Sequence, residues 1–178
     1  RNENVEALCD CSRSWLCYCI ISRLALAMGL CELLVWDSRT FLCSVSSLGV
    51  FDVSHMGEFY ISGSNALPLL QHICSNDISK IPIGKAQYNY FPNETGGIVD
   101  DLIVYRLDES MYLLVVNASN ISKDWDWIQK HNTSYRAELE DRSESTALLA
   151  IQGPKALQAM QKLTPSRLNE LPYYAHTT

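Results

Sequence analysis

Two adjacent carboxylates, Asp100 and Asp101, stand inside the run Ile98-Val99-Asp100-Asp101-Leu102-Ile103-Val104. Carboxylates are depleted in strands and costly in a strand with two apolar faces, so something must compensate them. Side chains alternate across a strand, so the two point to opposite faces and cannot share one proton as a catalytic dyad does. Two separate roles follow. One reading makes them caps for backbone donors just after the Gly96-Gly97 turn. The other makes one of them a partly buried aspartate with a raised pKa, facing a cleft.

Other chemistry-bearing residues are weaker signals. His55 in Asp52-Val53-Ser54-His55-Met56-Gly57 stands beside a serine and an aspartate. Neighbours on one strand alternate faces, however, so a structural or substrate-lining histidine is the better reading than a hydrolase triad. Gly96-Gly97 and Gly153-Pro154 lack the spacing of a nucleotide loop and read as turns. Four N-x-S/T sequons, at Asn93, Asn117, Asn120 and Asn132, read as chance. The aromatic residues Tyr88, Tyr90, Phe91 and Tyr105 can stack on a flat heteroaromatic ligand or fill a core. Six of the seven cysteines precede residue 44, in Cys9/Cys11 and Cys17/Cys19 pairs and at Cys31 and Cys43. The apolar run around Cys17 and Cys19 favours thiols buried as small hydrophobes over a metal site.

The elements that must position these residues become regular after Gly49. Phe51 to Ile61 reads as one extended run ending at Ser62-Gly63-Ser64, with Ser64 capping a helix on Ala66, Leu67, Leu70, Ile73 and Cys74. Ala86 to Phe91 and Ile98 to Tyr105 read as a hairpin across Pro92 to Gly97, and Met111 to Asn117 as a strand covered on both faces. A helix follows over Ile121 to His131, with Ile121, Trp125 and Ile128 on its inner face. Tyr135, Ala137 and Leu139 alternate as a half-buried strand, Ala147 to Ile151 as a buried one, and Gly153-Pro154 opens a last helix. The order βαβββαββα predicts an α+β domain, a largely antiparallel or mixed sheet with helices packed on one face.

Composition bounds the rest. The chain has 178 residues, 47% hydrophobic and 19% charged, with a formal net charge of -6 and no basic run, which argues against a nucleic-acid partner. Trp15 to Trp36 is mostly apolar, but Arg23 and Glu32 interrupt it and argue against a membrane anchor. Glu3, Glu6, Asp10, Glu32 and Asp37 argue against a mitochondrial presequence, so the cytoplasm is expected, or the mitochondrial matrix for a nuclear-encoded eukaryotic protein. Position 1 is not methionine, and a fragment is expected.

Five blocks in order resemble the glycine-cleavage T-protein family of aminomethyltransferases: Gly49-Val50-Phe51-Asp52-Val53-Ser54-His55-Met56-Gly57, Ser75-Asn76-Asp77, Gly96-Gly97-Ile98-Val99-Asp100-Asp101-Leu102, Leu114-Val115-Val116-Asn117 and Gln152-Gly153-Pro154. The resemblance spans Gly49 to about Tyr174, the amino-terminal half of such a protein. Residues 1–48 stand apart as an atypical Cys-rich segment, and 49–178 as a partial folate-binding aminomethyltransferase domain. The resemblance implies transfer of a one-carbon unit from the aminomethyl-lipoyl arm of the H-protein to tetrahydrofolate, with release of ammonia and without a metal. It implies Asp100 as the catalytic carboxylate, with Asp101 facing away as its structural partner. It also implies Met56, Tyr88, Val115 and Asn117 as lining of the folate pocket. The alternatives are an inactive folate-binding fragment and a truncated remnant.

Overall fold

The computed structural model describes residues 46–177 and the backbone of two earlier strands, Cys17–Ile21 and Leu24–Met28. Those two are β1 and β2; the side chains of the early cysteines and most of the apolar run from Trp15 to Trp36 lie outside the described residues. Then follow β3 (Gly49–Asp52), β4 (Gly57–Ser62), helix α1 (Ala66–Ile73), β5 (Lys85–Pro92), β6 (Ile98–Asp108), β7 (Met111–Val116), α2 (Ile121–Tyr135), β8 (Glu138–Asp141), β9 (Leu148–Gln152), α3 (Ala156–Met160) and β10 (His176–Thr177).

The expected α+β class is found, but as two five-stranded sheets rather than one. Their orders are β10-β2-β1-β9-β3 and β5-β6-β7-β4-β8. Every pairing between these strands is antiparallel. The run expected to be continuous from Phe51 to Ile61 splits, because Asp52 Oδ1 accepts the Ser54 amide at 3.0 Å and Met56 N donates to Val53 O at 3.1 Å. That Asx turn sends β3 into one sheet and β4 into the other.

Alternation along β4, β6 and β7 sorts side chains to two cores. Phe59, Ile61, Leu102, Val104, Leu114 and Val116 meet Leu69, Leu70 and Ile73 of α1 and Ile128 of α2. On the opposite face Ile103, Tyr105, Leu113 and Val115 meet Phe51, Val53, Leu148 and Ala150 of the other sheet. A small third cluster puts Ala156 and Met160 of α3 against Ile151. The layers therefore run helices, sheet, sheet, helix. Each of the large apolar side chains at zero exposure contributes roughly 1.5–3 kcal/mol of transfer free energy.

Both long helices are placed by local chemistry. Asn65, not Ser64, is the N-cap of α1, and its side-chain amide donates 2.6 Å to Tyr135 O at the end of α2. The α2 helix runs four residues beyond the expected His131, since Arg136 takes the left-handed conformation at φ 57° and closes it with a 2.7 Å bond to Asn132 O. Its start crosses β4 at Gly57, where an added Cβ would lie 2.7 Å from Val116 Cγ2 and 2.8 Å from Ile121 Cγ1. The β5–β6 hairpin is closed by Asn93, whose Oδ1 accepts Thr95 N at 3.1 Å and Gly97 N at 2.7 Å, with Gly96 at φ 83°. Gly96-Gly97 is thus a turn, as expected.

Candidate functional site

The helix-distal face of the β5-β6-β7-β4-β8 sheet is only partly covered. The second sheet roofs Ile103, Tyr105, Leu113 and Val115 but stops short of Tyr88 and Tyr90, which remain 49% and 37% exposed. Residues directly opposite in antiparallel pairs share a face. The registers Glu58↔Val115, Val115↔Ile103 and Ile103↔Tyr88 therefore form one row across four strands, and Tyr90↔Asp101 belongs to the next. Met56, which precedes β4, packs on the same inter-sheet cluster. Met56, Tyr88 and Val115, three of the expected pocket residues, are thus brought together on one face.

The two aspartates point to opposite faces of the sheet, as strand alternation predicts. Asp101 has the parity of Ile103 and Tyr105 and emerges on the open face, where Tyr88 Oη donates to its Oδ2 at 2.8 Å. Asp100 has the parity of Leu102 and Val104, so its carboxylate enters the helix side and is 8% exposed. There it accepts Asn120 Nδ2 at 2.7 Å and Asn117 Nδ2 at 3.2 Å. Asn117, the fifth expected residue, follows β7 immediately, and the same amide nitrogen lies 3.0 Å from Asp101 Oδ1. Sequence alternation predicts opposite faces for the two carboxylates but cannot say which face the helices will cover.

Two further carboxylates escaped the sequence reading. Glu58 on β4 is wholly buried with neither carboxyl oxygen hydrogen-bonded. Burial, reinforced by the negative charge of Asp141, pushes its pKa up to about 8. Asp124 in the first turn of α2 is likewise wholly buried, and burial with the adjoining Asp100 pushes its pKa to about 8. Both left a signal: Glu58 interrupts an apolar strand, and Asp124 falls at helical spacing with Ile121 and Ile128 on the inner face.

Several of the remaining sequence candidates serve the fold. The Ser54 hydroxyl accepts Leu148 N at 3.0 Å, and Asp52 serves the turn, which its bonds from Ser54 reflect in a lowered pKa. Among the described residues no hydrolase triad forms at His55. The Ser75-Asn76-Asp77 block anchors β5, with Asn76 Nδ2 donating to Tyr88 O at 2.8 Å and buried Asn89 Oδ1 accepting Asn76 N at 2.9 Å. All four sequon asparagines use their amides within the fold: Asn93 in the hairpin, Asn117 and Asn120 on Asp100, and Asn132 on both backbone groups of Ala137. Of the aromatic set, Tyr88 and Tyr90 face outward while Phe91 and Tyr105 are buried in the two cores. Among the described residues no cluster of three or more His, Cys, Asp or Glu is placed to hold a metal, and no helix is long and apolar enough to cross a membrane.

Residues 41–178 match the GCVT N-terminal domain family. The chain belongs to this family. An aminomethyltransferase of Phocaeicola vulgatus is 58% identical over 142 residues, which is 80% of this chain and 38% of that protein. One from Thermus thermophilus is 54% identical over 124 residues, 70% of this chain and 36% of that protein. Among solved structures, the glycine cleavage system aminomethyltransferase T from Bartonella henselae superposes with a TM-score of 0.72 at 32% identity, over 77% of this chain and 37% of that one. The chain thus spans under two-fifths of the length of these aminomethyltransferases. The T-protein resemblance read from the five blocks and the α+β architecture both agree with these matches. The GCVT family match begins at residue 41, eight residues before the expected boundary at Gly49.

Proposed function

We propose that the open face bearing Tyr88, Tyr90 and Asp101 binds tetrahydrofolate, and that the protein serves glycine cleavage by passing a one-carbon unit from the aminomethyl-lipoyl arm of the H-protein to that folate with release of ammonia. The observation that carries the reading is the ionisable pair on this face: the carboxylate of Asp101 stands 2.8 Å from the Tyr88 hydroxyl, beside exposed aromatic surface. A flat ring bearing an amine fits such a surface, since aromatics and Met56 supply apolar contact and a fixed carboxylate orients an N–H donor. Tetrahydrofolate, when bound, supplies the nitrogen nucleophile.

The chain's own residues then have distinct tasks. Asp101 takes the role that the resemblance assigns to Asp100: it accepts a hydrogen bond from the amine and can take up its proton as the nitrogen reacts. Tyr88 Oη and Asn117 Nδ2 donate to that carboxylate and hold its direction. Met56 forms one apolar flank, and Val115, roofed by the second sheet, backs the row that carries Tyr88. Asp100 anchors Asn117 from below. Residues 49–178 are the folate-binding unit in this reading. The bacterial relatives favour the cytoplasm, with the mitochondrial matrix as its counterpart in a nuclear-encoded eukaryotic protein.

Calorimetric titration of the chain with tetrahydrofolate tests the reading. Saturable binding is expected, with a loss of at least about tenfold in Asp101→Ala, equivalent to the roughly 1.4 kcal/mol of one charge-assisted hydrogen bond. Binding without turnover, even with lipoylated H-protein present, would support the inactive folate-binding fragment instead. A folded sample that gives no heat would sink the folate site in this chain.

A further inference from the structure

Beneath the open face lies a buried acid pair, and the proposed chemistry leaves one of its members, Asp124, unused. Asp124 has zero exposure and no donor within hydrogen-bonding distance of either carboxyl oxygen, yet it adjoins Asp100, itself 8% exposed. Two ionised carboxylates in such a position repel each other across a poorly solvated gap. One proton between them removes the conflict, with Asp124 as donor and Asp100 as acceptor. Asp100 has the other half of its valence filled by Asn120 Nδ2 at 2.7 Å and Asn117 Nδ2 at 3.2 Å. The Asn117 amide in turn reaches Asp101, at 3.1 Å to its carbonyl and 3.0 Å to Oδ1.

We propose that Asp124 is a positioning residue: by donating its proton to Asp100 it fixes the amides of Asn117 and Asn120, and through Asn117 the direction of the Asp101 carboxylate on the open face. The inference rests on the reading of Asp101 as the ligand-facing carboxylate, but the hydrogen-bond chain itself does not depend on what binds there. The charged groups acting on Asp124 are Asp100 and Asp101 of β6 and Lys123 of its own helix, and Lys123 is engaged with Val99 O at 2.6 Å. With its pKa pushed up to about 8, Asp124 keeps the proton at neutral pH and yields it just above. The chain of bonds then loses its first donor and gains a second negative charge beside Asp100.

Two substitutions separate this role from plain packing. Asp124→Asn keeps a donor aimed at Asp100 and cannot ionise, whereas Asp124→Leu fills the space and donates nothing. The readout is the side-chain amide NMR signals of Asn117 and Asn120 in the ligand-free chain, followed from pH 6 to 9 beside the carboxyl carbon signals of Asp100 and Asp124. In the native chain both amides shift together as Asp124 deprotonates. In Asp124→Asn they hold their low-pH positions throughout, and in Asp124→Leu they are displaced at every pH. Tetrahydrofolate affinity should weaken several-fold over the same range in the native chain and stay flat in Asp124→Asn. Amide shifts that persist unchanged in Asp124→Asn, or an Asp124 carbon that titrates in the ordinary carboxylate range, would overturn the proposal. If Asp124→Leu does not fold, Asp124→Asn alone decides. An amide network that behaves as stated in a chain showing no folate heat would uphold the positioning and defeat the folate reading.

Discussion

Asp100 and Asp101 send their carboxylates to opposite faces of one sheet, and a single amide nitrogen, Nδ2 of Asn117, lies 3.2 Å from either oxygen of Asp100 and 3.0 Å from Oδ1 of Asp101. The two positions should therefore respond differently to truncation. Asp100→Ala strips two asparagine amides and the Asp124 proton of their acceptor inside the helix-side core. It should cost on the order of 2–3 kcal/mol in urea denaturation. Asp101→Ala, on the exposed face, should change stability by less than about 1 kcal/mol. Equal losses at the two sites would contradict the face assignment.

Stability should fall as pH rises from about 5 to 8. Glu58 ionises near 4.5 when exposed and near 8 in the fold, and Asp124 near 3.8 and 8. Between those values the folded chain holds protons that the unfolded chain has released, so each step up in pH favours unfolding. The contribution is complete below the unfolded pKa and gone above about 8. Asp52, Asp77 and Glu140, whose pKa values are lowered by hydrogen bonds from Ser54, Ser79 and Arg142, act only at the acid end and in the opposite sense. Scanning calorimetry across this range should show the decline, and Glu58→Gln should make it shallower. An unchanged slope in that variant would mean that another group carries the proton.

Gly57→Ala should be destabilising despite the modest size of a methyl group. The new Cβ meets Val116 Cγ2 at 2.7 Å and Ile121 Cγ1 at 2.8 Å, so α2 must lift from β4 or the side chains must leave their rotamers. Overpacking of this kind costs about 1–3 kcal/mol, readable as a lower denaturation midpoint. Because α2 also carries Asp124 and follows Asn120, the Asn117 and Asn120 amide signals should move with it.

Arg136→Gly should do the reverse. Arg136 ends α2 at φ 57°, a conformation that costs a side chain about 1 kcal/mol and glycine almost nothing. Its side chain is exposed, so little packing is lost. A rise in thermal midpoint with unchanged folate titration is the expected result.

Much of this arrangement was legible in residue patterns. The β5–β6 hairpin, the apolar run of β7 and the inner face of α2 all follow from local periodicity and turn chemistry, which depend on neighbours in sequence. What was not legible depends on partners far along the chain. The two-sheet division follows from pairings such as Phe51 with Ala150, which no local pattern announces. Which face receives Asp100 depends on where α1 and α2 settle, a tertiary fact. Glu58 and Asp124 each break an apolar pattern, but the pattern alone does not say whether the carboxylate turns to solvent or stays inside. Only the full set of neighbours shows that neither oxygen pair reaches water.

The sheet that pairs β3 with β9 and β10 with β2 also has a kinetic meaning. Its strands are recruited from residue 17 to residue 177, whereas the other sheet lies between residues 57 and 141 and has the consecutive strands β5, β6 and β7 paired in sequence order. Long-range pairing must meet its loop-closure entropy before any contact rewards it. The helix-backed sheet should therefore form first and acquire its roof afterward. On that timetable Ile103, Tyr105, Leu113 and Val115 lose contact with solvent only when the roof arrives, and slow amide exchange should appear along β6 and β7 before it appears along β9.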